Sequence, residues 1–346
     1  MEGQIEVAPL ERLTKQAPTP QRSDFRVLCV DGGGIKGLSA AAVLAAFEES
    51  FGSMNSRFDL LCGTSTGGLI ALALSAENSA QQIVQFYQEK GRDIFPRPTL
   101  WRKVRHSSRM LFSSNKHLYS DVALRRAVKE VVGEKKLRDA QNRLCIPALN
   151  MMTYKPRLFK TEHGGGHTML DGDVLMSDVA LATSAAPLYF PIAACGGSYF
   201  IDGGVFANNP SLIGLTEALR FFVGPNKPYK SVKLLSIACA SPEAGAIETD
   251  RYPRWVLRFS NTLLEAAASA QMLSVDLTIQ HLKDALCVPL TYHRITISLS
   301  PPQAKEISLD TTTRGAIEVL LGRGRDEGVA WRNRSEIQDF FTDQVL

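Results

Sequence analysis

The sequence predicts an α/β fold built around a mainly parallel sheet. Apolar runs at residues 25–30 and 58–62 are each followed by a glycine-rich turn and then by an Ala/Leu-rich, helix-forming stretch. Two strand-turn-helix units in series are typical of parallel sheets, because the helix returns the chain to the end of the sheet at which the first strand began. A length of 346 residues, 45% of them hydrophobic and 21% charged, supports a large core and excludes a disordered chain.

The other elements follow from the same periodicities and from turn residues. Up to residue 224 we predict helices at 80–90, 120–132, 178–186 and 211–223, and strands at 144–150, 157–161 and 199–201. Ser120 is a suitable N-cap for the second of these helices, and Gly133 follows its end. Beyond Pro225 we predict a strand at 232–238, a long helix at 255–282, a strand at 292–299 and a polar C-terminal helix.

The chain divides into three predicted parts. Residues 1–24 form a flexible N-terminal tail, since they contain prolines at 18 and 20 and no apolar run of the kind found in signal peptides. Residues 25–224 form one α/β domain, and residues 225–346 form an extension that packs on it. Apolar stretches stay well below the roughly 18 residues of a spanning helix, so we expect a cytoplasmic protein.

Composition excludes several classes of function. A net charge of +4 is too small to imply a nucleic-acid polymer as partner. The six cysteines form no C-x-x-C pair and are expected to be free thiols. The histidines show no metal-ligand spacing, so no metal site is predicted.

Positive charge is concentrated in residues 91–118. This segment holds seven basic residues against one acidic residue, with aromatic residues between them. Such a mixture is typical of segments whose cations meet anionic lipid head groups while aromatic side chains insert at the membrane boundary. We therefore predict a lid-like segment in which Arg102, Lys103 and Arg105 contact a membrane; a solvated basic loop is the alternative.

Residues 63–67 read G-T-S-T-G and match the G-x-S-x-G pattern. In this pattern a sharp turn between a strand and a helix exposes a serine hydroxyl, and the glycines relieve crowding around it. The helix N-terminus beside Ser65 can stabilise an oxyanion. A tight turn with a helix-capping serine is the structural alternative.

Residues 32–37 read G-G-G-I-K-G and fit the dinucleotide-binding pattern G-x-G-x-x-G. Asp31 argues against that role, because a carboxylate directly before the loop would repel a pyrophosphate. The order Lys36-Gly37 also excludes a P-loop. Consecutive glycines that aim backbone N–H groups into a site suit an oxyanion hole instead.

A third motif, Asp202-Gly203-Gly204, follows the short predicted strand at 199–201. It places a carboxylate at a strand end, where α/β proteins build their sites. Taken alone, it is equally typical of an Asp-Gly turn.

Together the three motifs resemble those of the patatin-like phospholipase family, which carries D-G-G-G-x-[KR]-G, then G-x-S-x-G, then D-G-[AG]. Here they stand at residues 31–37, 63–67 and 202–204. Further likeness lies in A-T-S-A-A-P at 182–187 and N-N-P at 208–210, so that the resemblance covers residues 25–223. It implies a three-layer fold, with a mainly parallel central sheet flanked by helices and a C-terminal α/β extension.

The resemblance also implies an acyl hydrolase with a Ser-Asp dyad, no catalytic histidine and no cofactor. Ser65 would attack a lipid ester carbonyl, and Asp202 would accept its proton. The backbone amides of Gly32, Gly33 and Gly34 would hold the oxyanion. Residues that support the motifs are Gly37, Gly63, Gly67, Gly203 and Gly204. Because an ordinary aspartate, with a pKa near ~3.9, is a feeble base, the dyad requires partial desolvation of Asp202.

The layout of tail, core and extension resembles that of bacterial patatin-like phospholipases that act as effectors of cyclic-nucleotide antiviral signalling. This likeness implies phospholipase A activity at the inner membrane surface and activation by a cyclic di- or trinucleotide. Arg294 and the basic segment, with Arg102, Lys103 and Arg105, would be activator contacts. A homo-oligomer is compatible with this interpretation.

Two alternatives stay open at this level. An α/β-hydrolase triad requires the chain order nucleophile, acid, histidine, and Ser65, Asp202 and either His281 or His293 satisfy it. His293 lies in a strand-like run, however, and His281 on a long helix, so neither follows a recognisable loop. The other alternative is a nucleotide- or lipid-binding module without turnover.

Overall fold

The computed structural model describes residues 22–96, 117–164, 171–242 and 256–342. Most of the predicted N-terminal tail lies outside these residues. So does most of the lid-like segment, including Arg102, Lys103 and Arg105.

The described residues form strands β1 (Asp24–Val30), β2 (Leu60–Gly63), β3 (Arg143–Asn150), β4 (Lys155–Lys160), β5 (Ala193–Cys195), β6 (Ser198–Asp202), β7 (Ser231–Ile237), β8 (Ser241–Pro242), β9 (Leu290–Ile295) and β10 (Ser298–Leu299). The α-helices are α1 (Gly37–Phe51), α2 (Thr66–Ser75), α3 (Ala80–Ile94), α4 (Asp121–Val132), α5 (Met176–Ser184), α6 (Gly204–Ala207), α7 (Ser211–Phe221), α8 (Val256–Leu282), α9 (Pro301–Glu306), α10 (Arg314–Arg332) and α11 (Ser335–Phe341). In this part of the chain no helix is both long and apolar enough to cross a membrane.

Eight of the strands form one sheet, in the order β5-β6-β3-β2-β1-β7-β9, with β4 paired to the other edge of β3. The pairs from β3 to β9 along this order are parallel, whereas β4, β5 and β6 run antiparallel to their neighbours. The predicted mainly parallel sheet is therefore confirmed. β7 and β9 belong to the predicted extension, so this part of the chain completes the sheet; a domain boundary at residue 224 stays a prediction.

Strands β2 and β6 pair with the same edge of β3 from opposite directions. Cys62 of β2 pairs with Cys145, and Asp202 of β6 pairs with Ala148, while β4 occupies the opposite edge of β3 at both positions. The C-terminal ends of β2 and β6 therefore point at each other along β3. This arrangement brings residues 63–65 next to Asp202.

Alternation along β1 shows that the sheet is covered on both faces. Leu28 and Val30 lie in a core with α1, α2 and α10, whereas Phe25, Val27 and Cys29 pack with α7 and α8 on the other face. Period-two alternation in a strand that is buried throughout requires a helical layer on each side. The three-layer architecture is thus confirmed.

Candidate active site

Ser65 occupies the sharp turn between β2 and α2. Its φ of 54° lies in the left-handed region, which is rare for a residue other than glycine. Such a conformation costs on the order of 1–3 kcal/mol and persists only where its surroundings enforce it. The Ser65 N–H donates to the Thr183 hydroxyl at 3.0 Å, and this hydroxyl donates to the Pro147 carbonyl at 2.6 Å. The turn is therefore tied to both α5 and β3.

Asp202, at the end of β6, is buried, and the nearby Ser65 side chain favours the ionised form of its carboxyl group. The Gly204 N–H donates to its Oδ1 at 2.7 Å. Burial raises the pKa of Asp202 to about 6, although the hydrogen bonds from Ser65 and Gly204 partly oppose the shift. A carboxylate with a raised pKa is a stronger base than an ordinary aspartate.

The glycine loop at residues 32–34 follows β1 and lies beside Ser65. A Cβ on Gly32 would lie 2.3 Å from Asn208 Oδ1 and 3.4 Å from the Ser65 Cβ, so no side chain fits there. Gly34 has a φ of +57°, and a Cβ on it would meet the Leu309 carbonyl oxygen at 2.3 Å. These two positions require glycine because the loop packs directly against the serine turn and the C-terminal extension.

The three amides of this loop are not equivalent. The sequence predicts that Gly32, Gly33 and Gly34 donate together to an oxyanion, but the Gly32 N–H already donates to the Asn208 carbonyl at 3.0 Å. For Gly33 and Gly34, the described residues provide no backbone acceptor. The expectation therefore needs correction at Gly32, and the amides of Gly33 and Gly34 remain as candidate donors.

Arg294 also differs from the prediction. Its guanidinium donates to both carboxylate oxygens of the buried Asp31, at 3.3 and 2.5 Å, and to the Ser236 hydroxyl at 2.6 Å. Burial alone would lower the pKa of Arg294, but the Asp31 carboxylate outweighs that effect and raises it. Because this cation is occupied by the residue directly before the glycine loop, the geometry does not support Arg294 as an activator or membrane contact.

Neither candidate histidine of a triad lies at this site. The ring of His293, on β9, packs against Trp331 and Phe340 at centroid distances of 6.5 and 6.0 Å. Strands β1 and β7 separate β9 from β2, which puts roughly 14 Å between those two strands at about 4.8 Å per neighbour. His281 is exposed near the end of α8.

Sequence reasoning missed three positioning contacts. Thr183 holds the Ser65 amide, Asn208 accepts the Gly32 amide, and the Thr64 hydroxyl donates to the Ala207 carbonyl at 2.6 Å. Thr183 and Asn208 belong to the A-T-S-A-A-P and N-N-P stretches, which the sequence marked only as points of likeness. In both stretches a polar residue stands among small residues, which could have marked it as a positioning residue. Its hydrogen-bond partner could not be identified, because that partner is distant in sequence.

A serine on the turn that follows a parallel strand, next to a buried carboxylate, is an arrangement typical of serine hydrolases. Comparison with known proteins agrees. The family model described as patatin-like phospholipase matches residues 28–214.

Two relatives are similar over most of their length. A protein of Pseudomonas aeruginosa named cGAMP-activated phospholipase is 36% identical over 313 residues, which is 87% of this chain and 86% of the relative. A protein of the same name from Vibrio cholerae serotype O1 is 30% identical over 340 residues, or 92% of this chain and 95% of the relative. The human GIVD cytosolic phospholipase A2 structure aligns with a TM-score of 0.43 and 10% identity, over 92% of this chain and 60% of that one.

The chain therefore belongs to the patatin-like phospholipase family, and it is a lipid ester hydrolase.

Proposed function

We propose that this protein hydrolyses acyl esters of phospholipids with Ser65 as nucleophile and Asp202 as base. The observation that carries the proposal is the position of Ser65, on a strained turn where β2 meets the end of β6 and its buried Asp202. Burial raises the pKa of Asp202 to about 6. A base of this strength still ionises near neutral pH, yet it accepts a proton more readily than an exposed aspartate.

The reaction proceeds in two steps. Ser65 Oγ attacks the ester carbonyl while its proton passes to Asp202, and the N–H groups of Gly33 and Gly34, with the N-terminus of α2, stabilise the oxyanion. The tetrahedral intermediate collapses, and protonated Asp202 returns the proton to the leaving lysophospholipid oxygen. Water, deprotonated by Asp202, then attacks the acyl-serine and releases the fatty acid and free Ser65.

The proposal includes activation by a cyclic di- or trinucleotide and an antiviral role. Its support is the name cGAMP-activated phospholipase, carried by relatives that match nearly the full chain. The segments proposed for this regulation remain residues 91–118 and the extension from 225 to 346.

Covalent labelling and lipid mass spectrometry test the proposal. A fluorophosphonate should label Ser65, and vesicles should release fatty acid at a rate that cGAMP increases. Ser65→Ala should lose both signals, while Ser56→Ala, which changes an exposed serine on the surface, should keep them. Absence of labelling and of fatty-acid release with every nucleotide of a cyclic di- and trinucleotide panel would instead favour a binding module without turnover.

A further inference from the structure

Six exposed apolar side chains lie around β6, the strand that ends at Asp202, and its neighbours. They are Met152, Tyr154, Leu188, Ile192, Tyr199 and Val205, here named the apolar rim, with exposed fractions between 37% and 75%. Single exposed apolar residues are ordinary, but a concentration of them marks an interaction surface.

The apolar rim lies beyond the C-terminal ends of β2 and β3, on the side of the sheet where Ser65 is found. Strands β3 and β6 continue past the end of β2: Phe200 pairs with Asn150, and the Met151 N–H donates to the Tyr199 carbonyl at 2.8 Å. At about 3.3 Å per residue, Asn150 lies about 7 Å beyond Ala148, the partner of Asp202, and the turn that holds Met152 begins directly after Asn150. The turn at residues 151–154 and the start of β6 thus project from the active-site side of the molecule.

The other rim residues flank Asp202 itself. Ile192 directly precedes Ala193, which pairs with Phe200, so Ile192 lies level with Ile201. Val205 follows Asp202 by three residues, in α6. Leu188 begins the segment that leads to Ile192, and its carbonyl accepts the Leu118 N–H at 3.0 Å.

Two rim residues have backbone conformations that would favour glycine. Tyr154 has a φ of 54° and Leu188 a φ of 73°, and their exposed fractions are 75% and 37%. A large apolar side chain in this region is strained, and an exposed one gains little from burial in return. Folding stability therefore does not account for the large side chain of Tyr154, which is three-quarters exposed.

We infer that the apolar rim docks the protein on the surface of an anionic phospholipid bilayer, with Lys155 at the head groups. Residues 151–160 include Lys155, Arg157 and Lys160 and no acidic residue. Arg157 pairs with Asp171 and Lys160 with Glu217, whereas Lys155 is exposed next to Tyr154. Cations beside exposed aromatic and aliphatic side chains complement the anionic, partly apolar boundary of a bilayer.

This inference rests on the proposed function, because a bilayer-docking surface next to Ser65 serves an enzyme whose substrate is a phospholipid of that bilayer. Ser65 is only 9% exposed and Asp202 only 6%, so a lipid must leave the plane of the bilayer to reach them. A rim seated in the boundary of the bilayer shortens the path of the acyl chain through water. Its strands fix the distance between the bilayer and Ser65.

The test measures vesicle sedimentation in a Ser65→Ala background, so that binding is measured without hydrolysis. The rim variant is Tyr154→Ser with Tyr199→Ser, whose side chains are 75% and 54% exposed. The matched control is Leu273→Ser with Leu277→Ser on α8, at 71% and 54%. Vesicles contain equal parts of phosphatidylethanolamine and phosphatidylglycerol, and a second set contains only phosphatidylcholine.

We expect the rim variant to bind the anionic vesicles about tenfold more weakly, in line with the apolar area withdrawn from the bilayer, and the control to bind within about twofold of its parent. Lys155→Ser should weaken binding to the anionic vesicles alone. Equal losses in the rim and control variants, no vesicle binding by the parent, or a rim variant that binds normally but changes its oligomeric state would each overturn the inference. Circular dichroism melts verify folding. Failure of the proposed function would appear separately, as absent hydrolysis by the protein with Ser65 intact.

Discussion

The hydroxyl of Thr183 accepts a hydrogen bond from the backbone N–H of Ser65 at 3.0 Å, and the Thr183 side chain is fully buried. Because the same hydroxyl donates to the Pro147 carbonyl, one side chain fixes the turn relative to β3. Thr183 is thereby a positioning residue for Ser65, although it touches no substrate in the proposed mechanism.

Replacement of Thr183 by valine should lower both activity and stability. Valine keeps the shape of the side chain but leaves two buried backbone groups without a partner, and each such group lowers the free energy of unfolding by about 1–3 kcal/mol. A displaced Ser65 should lower kcat by about 10- to 100-fold. Thr161→Val is the control, since the Thr161 hydroxyl accepts the Leu144 N–H at 2.9 Å away from the site. Urea titration and kcat measurements test this, and equal kcat values in the two variants would contradict it.

The pH profile should follow Asp202. Its carboxylate must be ionised to accept the Ser65 proton, so hydrolysis of a soluble ester should rise with pH through an apparent pKa of about 6. Removal of the Ser65 hydrogen bond, which opposes the upward shift, should raise the pKa of Asp202 further in Ser65→Ala. Rate measurements on the unsubstituted protein and NMR titration of the variant test the two parts. A rate that is constant from about pH 5 to about pH 8 would contradict the assignment of the base.

The folding stability should also depend on the protonation of Asp202, but it should fall with rising pH, whereas the rate of hydrolysis rises. The folded state holds the Asp202 proton more tightly than the unfolded state, whose pKa is near 3.8. The stabilisation is therefore complete below about pH 4 and is lost as the pH rises through about 6, a change of about 3 kcal/mol. Asp202→Asn should lack this component, which is visible as the difference between the two denaturation curves across pH. Identical pH dependence in both proteins would show that Asp202 has an ordinary pKa.

Replacement of Arg294 should lower the free energy of unfolding, because Arg294 pairs with Asp31 directly before the glycine loop. In Arg294→Met, the fully buried Asp31 loses the cation that binds both of its oxygens, and an uncompensated buried charge costs about 3–5 kcal/mol. The double variant Asp31→Asn with Arg294→Met removes the charge as well and should recover part of the loss. Chemical denaturation distinguishes the two, and a single variant as stable as the parent would show that the pair contributes little.

The histidines should be dispensable for chemistry. His293→Ala and His281→Ala should retain most of the hydrolytic rate, whereas Ser65→Ala and Asp202→Asn should each lose about a thousandfold or more. The reason is that His293 packs against Trp331 and Phe340, away from Ser65. A comparable loss of activity in a folded His293→Ala protein would favour the mechanism with a Ser-Asp-His triad.

Local sequence signals predicted the elements that position the site. The apolar runs before Asp31 and Gly63 form β1 and β2, and the helix predicted at 255–282 is found at Val256–Leu282. The short strand β5 was missed because three residues carry too little periodicity. The strand predicted at 292–299 is two strands, β9 and β10, which pair with different partners.

What the sequence could not predict depends on pairing between distant residues. His163 lies in the loop after β4, and its buried ring is hydrogen-bonded to Glu217 and to the Leu144 carbonyl. Arg294 was expected to be available to a ligand, but its partner lies 263 residues away. Likewise, the commitment of the Gly32 amide depends on Asn208, which the fold brings back to the loop. Residue type and spacing do not encode such contacts.

Because β2 and β6 meet head to head along one edge of β3, the separation of Ser65 and Asp202 is measured out by three residues of that strand, from Cys145 to Ala148. Lengthening β3 by one residue inside this interval would move the two ends apart by about 3.3 Å and turn one of them to the other face of the sheet. The same insertion in the turn at residues 151–154 would leave the interval untouched. An inserted residue should therefore leave the alignment of Ser65 with Asp202 intact when it lies in the β3–β4 turn, and disrupt that alignment when it lies in β3 between its two partners.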